Sequence, residues 1–384
     1  MLAGSGIRLS GAHPLFLKLV DLLNIPVVTA WNAHDCITSD HRLYYGRPGT
    51  VGDRAGNFIV QNSDLLLVLG CRLNIRQIGY SWETFAREAF KIVVDIDPLE
   101  LNKPTIRPDL PICANVIDVI KSLTDKLSNQ SLPPKQDWLN WCLIRKKSYP
   151  VVLKEYWLLK DYINPYCFFD TLSKHLPEGQ IIVAGNGTAA VCLFQTAYIK
   201  INQRLYSNSG CAAMGYDLPA SIGACIASNK SKVVCIAGDG SIQMNLQELQ
   251  TVVHYHLPIK IFVLNNYGYH SIRQTQENYF GHPLVGADPS SGVTLPDMKR
   301  IADAYQIPFI RCSNHDEMRN CIEMVLDNDD PYICEVMLTC DQPFAPKAAS
   351  RRLADGSMAS RPLEDLAPLL DRKELEENMI IDLL

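Results

Sequence analysis

Two polar positions, each placed directly after an apolar run, are the residues of this sequence best suited to chemistry. Asp239 lies in Gly-Asp-Gly-Ser after KVVCIA, and Asn266 closes Asn-Asn after IKIFVL, 27 positions later. Their carboxylate and amide oxygens are hard donors that suit Mg²⁺ or Ca²⁺, and no His or Cys stands beside them to favour zinc. With a single carboxylate, the ion would keep much of its charge for a phosphorylated ligand.

The segment between the two motifs decides whether these positions can meet. Residues 245–255 are predicted to form a helix, with Asn245 as its N-cap and Glu248 in the capping-box position. A strand–helix–strand crossover makes the strands parallel, so both polar loops leave at the carboxyl edge, where α/β sheets bind ligands. Neighbouring strands lie roughly 4.8 Å apart. Opposite oxygen ligands of one magnesium ion are about 4 Å apart, so the two side chains could share an ion.

The glycines of the first motif add a second reason to expect a phosphorylated ligand. Gly238, Gly240 and Ser241 would expose backbone N–H groups near a helix start, which is a favourable place for phosphate. The alternative is that GDGS and NN are two ordinary turns, and GDGS alone favours that interpretation. Their spacing on matching strand ends favours the ion site.

Apolar runs of strand length recur through the chain and alternate with helical patterns. Such runs, buried on both faces, are typical of parallel strands. We therefore predict an α/β fold with two Rossmann-like parallel-sheet domains and an extended carboxyl-terminal tail. The predicted boundaries are 1–125 for a central domain, 126–160 for a linker and helix, 161–343 for the second domain and 344–384 for the tail.

The composition excludes several classes of function. Of the 384 residues, 47% are apolar and 20% are charged, as in a globular protein. A net charge of −5 without a basic run argues against nucleic acid as a partner, and no apolar stretch approaches a membrane span. The thirteen cysteines show no CxxC or metal-ligand spacing, so we expect a reducing, cytoplasmic location. An NAD-dependent dehydrogenase is disfavoured because no GxGxxG follows an early strand.

Several motifs together resemble the signature of thiamine diphosphate-dependent enzymes, above all the acetolactate synthase large subunit. They are GDGS, its spacing to NNYGYHSIRQTQ, and the preceding segment SNSGCAAMGYDLPASIGA. GRPGTVG and VVDIDPLELNKP are similar to the central domain of that family, so the resemblance covers nearly the whole chain. It implies thiamine diphosphate and Mg²⁺ as cofactors. It also implies that Asp239 and Asn266 hold the metal by their side chains and Gly268 by its carbonyl group.

The same resemblance implies the remaining contacts with the cofactor. The diphosphate would lie on the GDGS motif and the loop GNGTA, with Tyr269 and His270 approaching it. Met214 would support the bent form of the cofactor, although without the family it is better explained as a core residue. The implied cofactor-binding residues are Asn186, Gly187, Thr188, Ala189, Ala212, Met214, Gly238, Asp239, Gly240, Ser241, Asn266, Gly268, Tyr269 and His270.

By resemblance, the reaction would be that of a carboligase or decarboxylase acting on 2-oxo acids. Pyruvate would lose carbon dioxide and condense with a second carbonyl, as in the transferase or lyase step of branched-chain amino acid biosynthesis. A related 2-oxo acid decarboxylase is the alternative. Like its relatives, the protein would be a homodimer or tetramer.

No residue of this chain can be assigned as the activating glutamate, which the family carries on an amino-terminal pyrimidine-binding domain. The chain opens abruptly at MLAGSG, inside what looks like the first strand of a central domain. We therefore expect the carboxyl portion of a larger enzyme, a subunit that takes the missing domain from another polypeptide, or a non-catalytic cofactor-binding protein. Little activity is expected of the chain alone.

The central domain raises the question of a flavin. Acetolactate synthases carry FAD there, and the corresponding stretch in this chain is GCRLNIRQIG. Asn74 and Ile75 replace the acidic pair of the family, while Arg72 and Arg76 remain. The domain therefore either binds FAD or serves as a structural spacer, as in related decarboxylases.

Overall fold

The computed structural model describes residues 1–130, 132–352, 355 and 357–384. The chain divides into two compact units, Met1–Val151 together with Ala345–Leu384, and Val152–Phe344. Much of the segment predicted as a linker, and the carboxyl-terminal tail, thus group with the first unit. Within the described ranges, no helix combines the length and the apolar character that crossing a membrane requires.

The first unit is built on a sheet of six parallel strands. Their order in the sheet is β3-β2-β1-β4-β5-β6, with every neighbouring pair parallel. Its elements are β1 (Leu2–Ala3), α1 (Gly6–Leu9), α2 (His13–Leu23), β2 (Val27–Thr29), β3 (Tyr44–Gly46), α3 (Arg54–Gln61), β4 (Leu65–Leu69), α4 (Ile75–Ile78), β5 (Phe90–Asp95), α5 (Pro98–Leu101), β6 (Leu110–Cys113), α6 (Val116–Leu127) and α7 (Gln136–Ser148), with 3₁₀ turns at His34–Cys36 and Trp82–Thr84.

The second unit contains another six-stranded parallel sheet, in the order β11-β12-β10-β9-β7-β8. Its elements are a 3₁₀ turn (Lys154–Leu158), α8 (Pro165–His175), β7 (Ile181–Ala184), α9 (Thr188–Thr196), β8 (Arg204–Ser207), α10 (Asp217–Ala227), β9 (Val233–Gly238), a 3₁₀ turn (Ile242–Glu248), α11 (Leu249–His254), β10 (Ile259–Asn265), α12 (His270–Tyr279), a 3₁₀ turn (Pro289–Ser291), α13 (Met298–Ala304), β11 (Phe309–Cys312), α14 (His315–Asp327) and β12 (Tyr332–Met337). The predicted α/β fold class is confirmed.

The strands that precede the two polar motifs are neighbours in this sheet. β9 and β10 run parallel, and Gly238 lies opposite Leu264 in the register. β7, which precedes the GNGTA loop, lies on the other side of β9. The loops after all three strands therefore lie at one edge of the sheet, as the crossover argument predicted for the loops after β9 and β10.

The predicted helix over 245–255 is only partly formed. A 3₁₀ turn occupies Ile242–Glu248, and Asn245 has φ −140° and ψ 30°, which is not helical. Asn245 is not an N-cap, because α11 begins only at Leu249, with Glu248 in the N-cap position and no side-chain cap. The Nδ2 of Asn245 donates instead to the carbonyl of Gly215 at 2.6 Å. The predicted capping box is therefore wrong, since the α-helix begins later than the pattern indicated.

The described residues of the tail form four short strands and a helix rather than a wholly extended chain. β13 (Lys347–Ala348) pairs antiparallel with β16 (Leu366–Ala367), β14 (Ser350–Arg352) pairs antiparallel with β15 (Met358–Ser360), and α15 (Arg372–Glu377) follows. The buried carboxylate of Glu364 accepts from Gln61 Nε2 at 2.6 Å and from Arg87 Nη1 at 2.9 Å. These charge-assisted bonds hold the tail on the amino-terminal part of the first unit.

The N-cap of α3 offers a test of how much a buried helix cap contributes to the stability of the first unit. Asp53 is buried, and its carboxylate accepts from the backbone N–H groups of Gly56, at 2.6 Å, and of Arg47. Asp53→Ala leaves both donors unsatisfied, so the free energy of unfolding in urea should fall by about 2–3 kcal/mol. The control is Asp97→Ala, which removes an exposed cap that accepts from Leu99 at 2.8 Å and should lower it by less than about 1 kcal/mol. Equal losses would contradict the account.

Candidate cofactor-binding site

The carboxylate of Asp239 lies buried at the carboxyl end of β9. Its Oδ1 accepts from the N–H of Gly240 at 2.8 Å, and its Oδ2 accepts from the N–H of Gly268 at 2.9 Å. Burial raises the pKa of Asp239 to about 6, although these N–H groups and the positive charge of Arg273 act in the opposite direction. At neutral pH the group is therefore mainly a carboxylate, in a place where a cation would stabilise its charge.

The side chain of Asn266 holds a buried oxygen that needs a partner. Its Nδ2 donates to Thr188 Oγ1 at 3.2 Å, but its Oδ1 is buried and accepts no hydrogen bond within the part of the chain that the structure describes. Leaving such an oxygen unsatisfied costs roughly 1–3 kcal/mol. A cation bound between this oxygen and the carboxylate of Asp239 would satisfy both groups.

The chemistry of these donors fits magnesium. Among the described residues there is no group of three or more His, Cys, Asp or Glu side chains that could hold a metal. A site at Asp239 and Asn266 would therefore combine one carboxylate and one amide with backbone carbonyl groups or water. Such a mixed set of oxygen ligands suits Mg²⁺, which usually keeps several waters and few carboxylates.

Two glycines allow the loops to approach one another. Gly268 has φ +128°, and a Cβ there would overlap the carbonyl oxygen of Ala287. A Cβ at Gly240 would overlap the ring of Tyr269, which therefore packs directly on the GDGS loop. The backbone N–H of Tyr269 donates to the carbonyl of Ala287 at 2.8 Å.

The GNGTA loop leads into a helix that begins beside Asn266, because Thr188 Oγ1 accepts from Asn266 Nδ2. Gly187, with φ +55°, is the N-cap of α9, and the N–H of Val191 makes the first helical bond to it at 2.9 Å. The N–H groups of residues 188–190 consequently have no partner within the helix. A helix start of this kind favours an anion such as a diphosphate. α12 begins nearby, since Ser271 Oγ lies 3.3 Å from the Cβ position of Gly187.

Three of the implied residues use their polar groups within the protein. Asn186 Nδ2 donates to the carbonyl of Ala212 at 2.8 Å. The buried imidazole of His270 contacts the carbonyl of Gln342 at 2.9 Å, and the ring packs 5.5 Å from that of Phe344. The imidazole of His270 is therefore held in place by contacts within the second unit.

Met214 lies in the loop between β8 and α10. Its side chain is 40% exposed. The interpretation of Met214 as an ordinary core residue is therefore wrong, and an exposed apolar side chain near the two polar loops agrees with contact to a ligand.

Sequence reasoning missed two buried charged residues around the site. Arg273 Nη2 donates to the carbonyl of Asn266 at 3.1 Å, and Cys340 Sγ contacts the same oxygen at 3.2 Å. The carboxylate of Asp217 accepts from Ser241 Oγ at 2.8 Å. The sequence did carry a signal for Arg273. Residues three positions apart on a helix share a face, so Arg273 lies on the same face as His270, close to the loop that precedes the helix.

In the first unit, the residues considered for a flavin have structural contacts. Arg72 Nη1 lies 3.3 Å from Glu100 Oε1, and Asn74 caps α4 by accepting from the N–H of Arg76 at 3.0 Å. The guanidinium of Arg76 lies 5.6 Å from the ring of Trp31. Asn74 therefore has a local role as a cap, in place of the acidic residue that the family pattern carries.

Comparison with known proteins identifies two domains in the chain. Residues 1–123 match the central domain of thiamine pyrophosphate enzymes, and residues 185–336 match their C-terminal TPP binding domain. The acetolactate synthase large subunit of Porphyra purpurea is 29% identical over 360 residues, which cover 90% of this chain and 58% of the relative. The probable acetolactate synthase large subunit of Methanococcus aeolicus is 30% identical over 351 residues, covering 87% and 57%.

A plant relative gives the same result. The chloroplastic acetolactate synthase 1 of Zea mays is 30% identical over 354 residues, which cover 90% of this chain and 54% of the relative. The chain thus spans a little over half the length of the curated relatives it matches. Both domain matches and these relatives indicate one family, and the chain belongs to the thiamine pyrophosphate enzymes, of which it carries the central and C-terminal domains.

Proposed function

We propose that the second unit binds the diphosphate of thiamine diphosphate through one Mg²⁺ ion at the loops after β9 and β10. The observation that carries the proposal is the buried amide oxygen of Asn266, which accepts no hydrogen bond from the described residues and belongs to the loop whose Gly268 N–H bonds the carboxylate of Asp239. The carbonyl group of Gly268 would be a third ligand.

The residues of the chain would divide the work of binding. Asp239 supplies one negative charge, so a bound Mg²⁺ keeps a net positive charge with which to hold the diphosphate. The free N–H groups at the start of α9 would bind its oxygens directly. When bound, thiamine diphosphate supplies the electron sink for decarboxylation of a 2-oxo acid.

For the complete assembly we propose acetolactate synthase-like carboligation of 2-oxo acids. The names of the curated relatives support it, but they describe proteins of which this chain spans little more than half. The proposal therefore includes a pyrimidine-binding domain supplied on another segment or subunit. Decarboxylation without condensation, and cofactor binding without catalysis, are the alternatives, and release of carbon dioxide from pyruvate with and without that domain distinguishes them.

Calorimetric titration of the purified chain with thiamine diphosphate tests the binding step. In Mg²⁺ the affinity should be at least about tenfold higher than in EDTA, because the ion links the carboxylate of Asp239 to the diphosphate. Thiamine without phosphate is the matched control and should bind weakly in both buffers. Binding that is equal with and without Mg²⁺ would contradict the proposal.

A flavin in the first unit remains a separate prediction, as do the cytoplasmic location and the homodimeric or tetrameric state. Purified protein that absorbs in the flavin bands would support FAD. A colourless protein that stays colourless after incubation with FAD would favour the structural spacer.

A further inference from the structure

Both polar backbone groups of Gly215 are bound by side chains from the turn that follows β9. The N–H of Gly215 donates to Ser241 Oγ at 2.9 Å, and its carbonyl accepts from Asn245 Nδ2 at 2.6 Å. Gly215 has φ +80°, and a Cβ there would overlap the amide of Asn245, so the approach requires glycine. The loop before α10 is thus fixed to the GDGS loop at this point.

The hydroxyl proton of Ser241 is already used in a hydrogen bond. It donates to Asp217 Oδ2 at 2.8 Å while it accepts from Gly215. A serine hydroxyl has one proton, and the oxygens of an ionised diphosphate only accept hydrogen bonds. The side chain of Ser241 therefore cannot donate to a diphosphate unless it leaves Asp217, and only its main chain is available for that contact.

Asp217 anchors this arrangement from a fully buried position. Its carboxylate also accepts from the N–H of Leu218 at 3.0 Å, at the first turn of α10. A Cβ at Gly185 would overlap Asp217 Oδ2, so the carboxylate lies against the start of the GNGTA loop. Burial raises the pKa of Asp217, while Ser241 and the backbone N–H stabilise its charged form. A buried carboxylate beside both proposed phosphate loops would repel a diphosphate, which indicates a role other than binding it.

A second attachment holds the other end of the same loop. Asn186 Nδ2 donates to the carbonyl of Ala212, which has φ +51°. Met214 therefore lies between two fixed points, one on each proposed phosphate loop, with its apolar side chain partly exposed.

We propose that Asp217, Ser241 and Asn245 are positioning residues that form a clamp on Gly215, and that this clamp fixes Met214 against the thiamine portion of the cofactor. The inference rests on the proposed cofactor site. It assigns the Ser241 side chain to the clamp and not to the diphosphate. Loss of the clamp should thus weaken binding of the thiamine portion and leave binding of the diphosphate portion intact.

The test compares two probes on the full chain in Mg²⁺: thiamine diphosphate and inorganic diphosphate. Ser241→Ala and Asn245→Ala should each lower the affinity for thiamine diphosphate about tenfold and change that for inorganic diphosphate less than about threefold. Met214→Ala should reproduce this selective loss. Gln247→Ala, an exposed amide in the same 3₁₀ turn, is the control and should change neither affinity.

The ratio of the two affinities separates positioning from general damage, because a loosened fold would lower both. Equal losses for both probes, or no loss for either, would overturn the clamp. If Ser241→Ala does not fold, the partly exposed Asn245 carries the test alone. Wild-type protein that binds neither probe would instead reject the cofactor site itself.

Discussion

Asp239→Asn is expected to weaken magnesium-dependent binding of thiamine diphosphate by at least about 30-fold, since loss of one partner of a buried charged pair costs roughly 2–5 kcal/mol. The asparagine keeps the shape of the side chain but removes its negative charge. Position 239 and Asn266 would then offer the ion two amide oxygens and no carboxylate. Calorimetric titration in Mg²⁺ measures the change.

The same substitution should leave the ion-free protein about as stable as the wild type. Burial raises the pKa of Asp239 from 3.8 to about 6. The unfolded chain therefore loses its proton first as pH rises, and the free energy of unfolding falls between about pH 4 and 6 and is constant above. The buried charge thus lowers the free energy of unfolding by about 3 kcal/mol at neutral pH, and this loss is absent from the variant.

A lost hydrogen bond offsets that gain. The carboxylate accepts from both Gly240 and Gly268, whereas an amide offers only one acceptor oxygen. With the two effects opposed, the free energy of unfolding in EDTA at pH 7.5 should stay within about 1 kcal/mol of wild type, as measured in urea.

The control for charge is Asp341→Asn, which removes the same charge from an exposed position on the nearby cavity wall that Arg273 and Cys340 also line. Its affinity for the cofactor should match that of the wild type. If Asp239→Asn binds thiamine diphosphate within about threefold of wild type in Mg²⁺, Asp239 is not a metal ligand.

The strands that carry the site could be predicted because they are central in their sheet. β9, β10 and β12 are mainly apolar and buried on both faces, including the charged residues Lys260 in β10 and Glu335 in β12. β8 and β11 were not predicted, and both lie at the edges of the sheet. Their residues are only partly buried, so RLYS and FIRC lack the apolar run that marks a central strand.

Contacts distant in sequence explain what could not be predicted within the site. Asn245, which the pattern indicated as a local cap, instead donates to Gly215, 30 positions away. The direction of the His270 ring depends on the carbonyl of Gln342, 72 positions away. Neither contact produces a periodic pattern in the sequence. The placement of Asp239 and Asn266, by contrast, follows from the ends of their strands alone.

Gly268→Ala is expected to lower the free energy of unfolding of the second unit by about 3 kcal/mol or more and to abolish cofactor binding. The residue has φ +128°, a conformation that costs a residue with a Cβ roughly 1–3 kcal/mol. The added methyl group would also overlap the backbone oxygen of Ala287, which cannot rotate away as a side chain does. Denaturation in urea and titration with thiamine diphosphate in Mg²⁺ measure the two effects.

Binding should fail because the loop has to move to relieve this overlap. The N–H of Gly268 holds Asp239 Oδ2, and Asn266 lies two positions before it, so a shift separates the proposed ligands. Gly281→Ala is the matched control: its φ is +73°, no atom lies within 4 Å of the Cβ position, and only about 1 kcal/mol should be lost. A Gly268→Ala protein as stable as Gly281→Ala, and still able to bind the cofactor, would show that the close approach to Ala287 is not needed for the site.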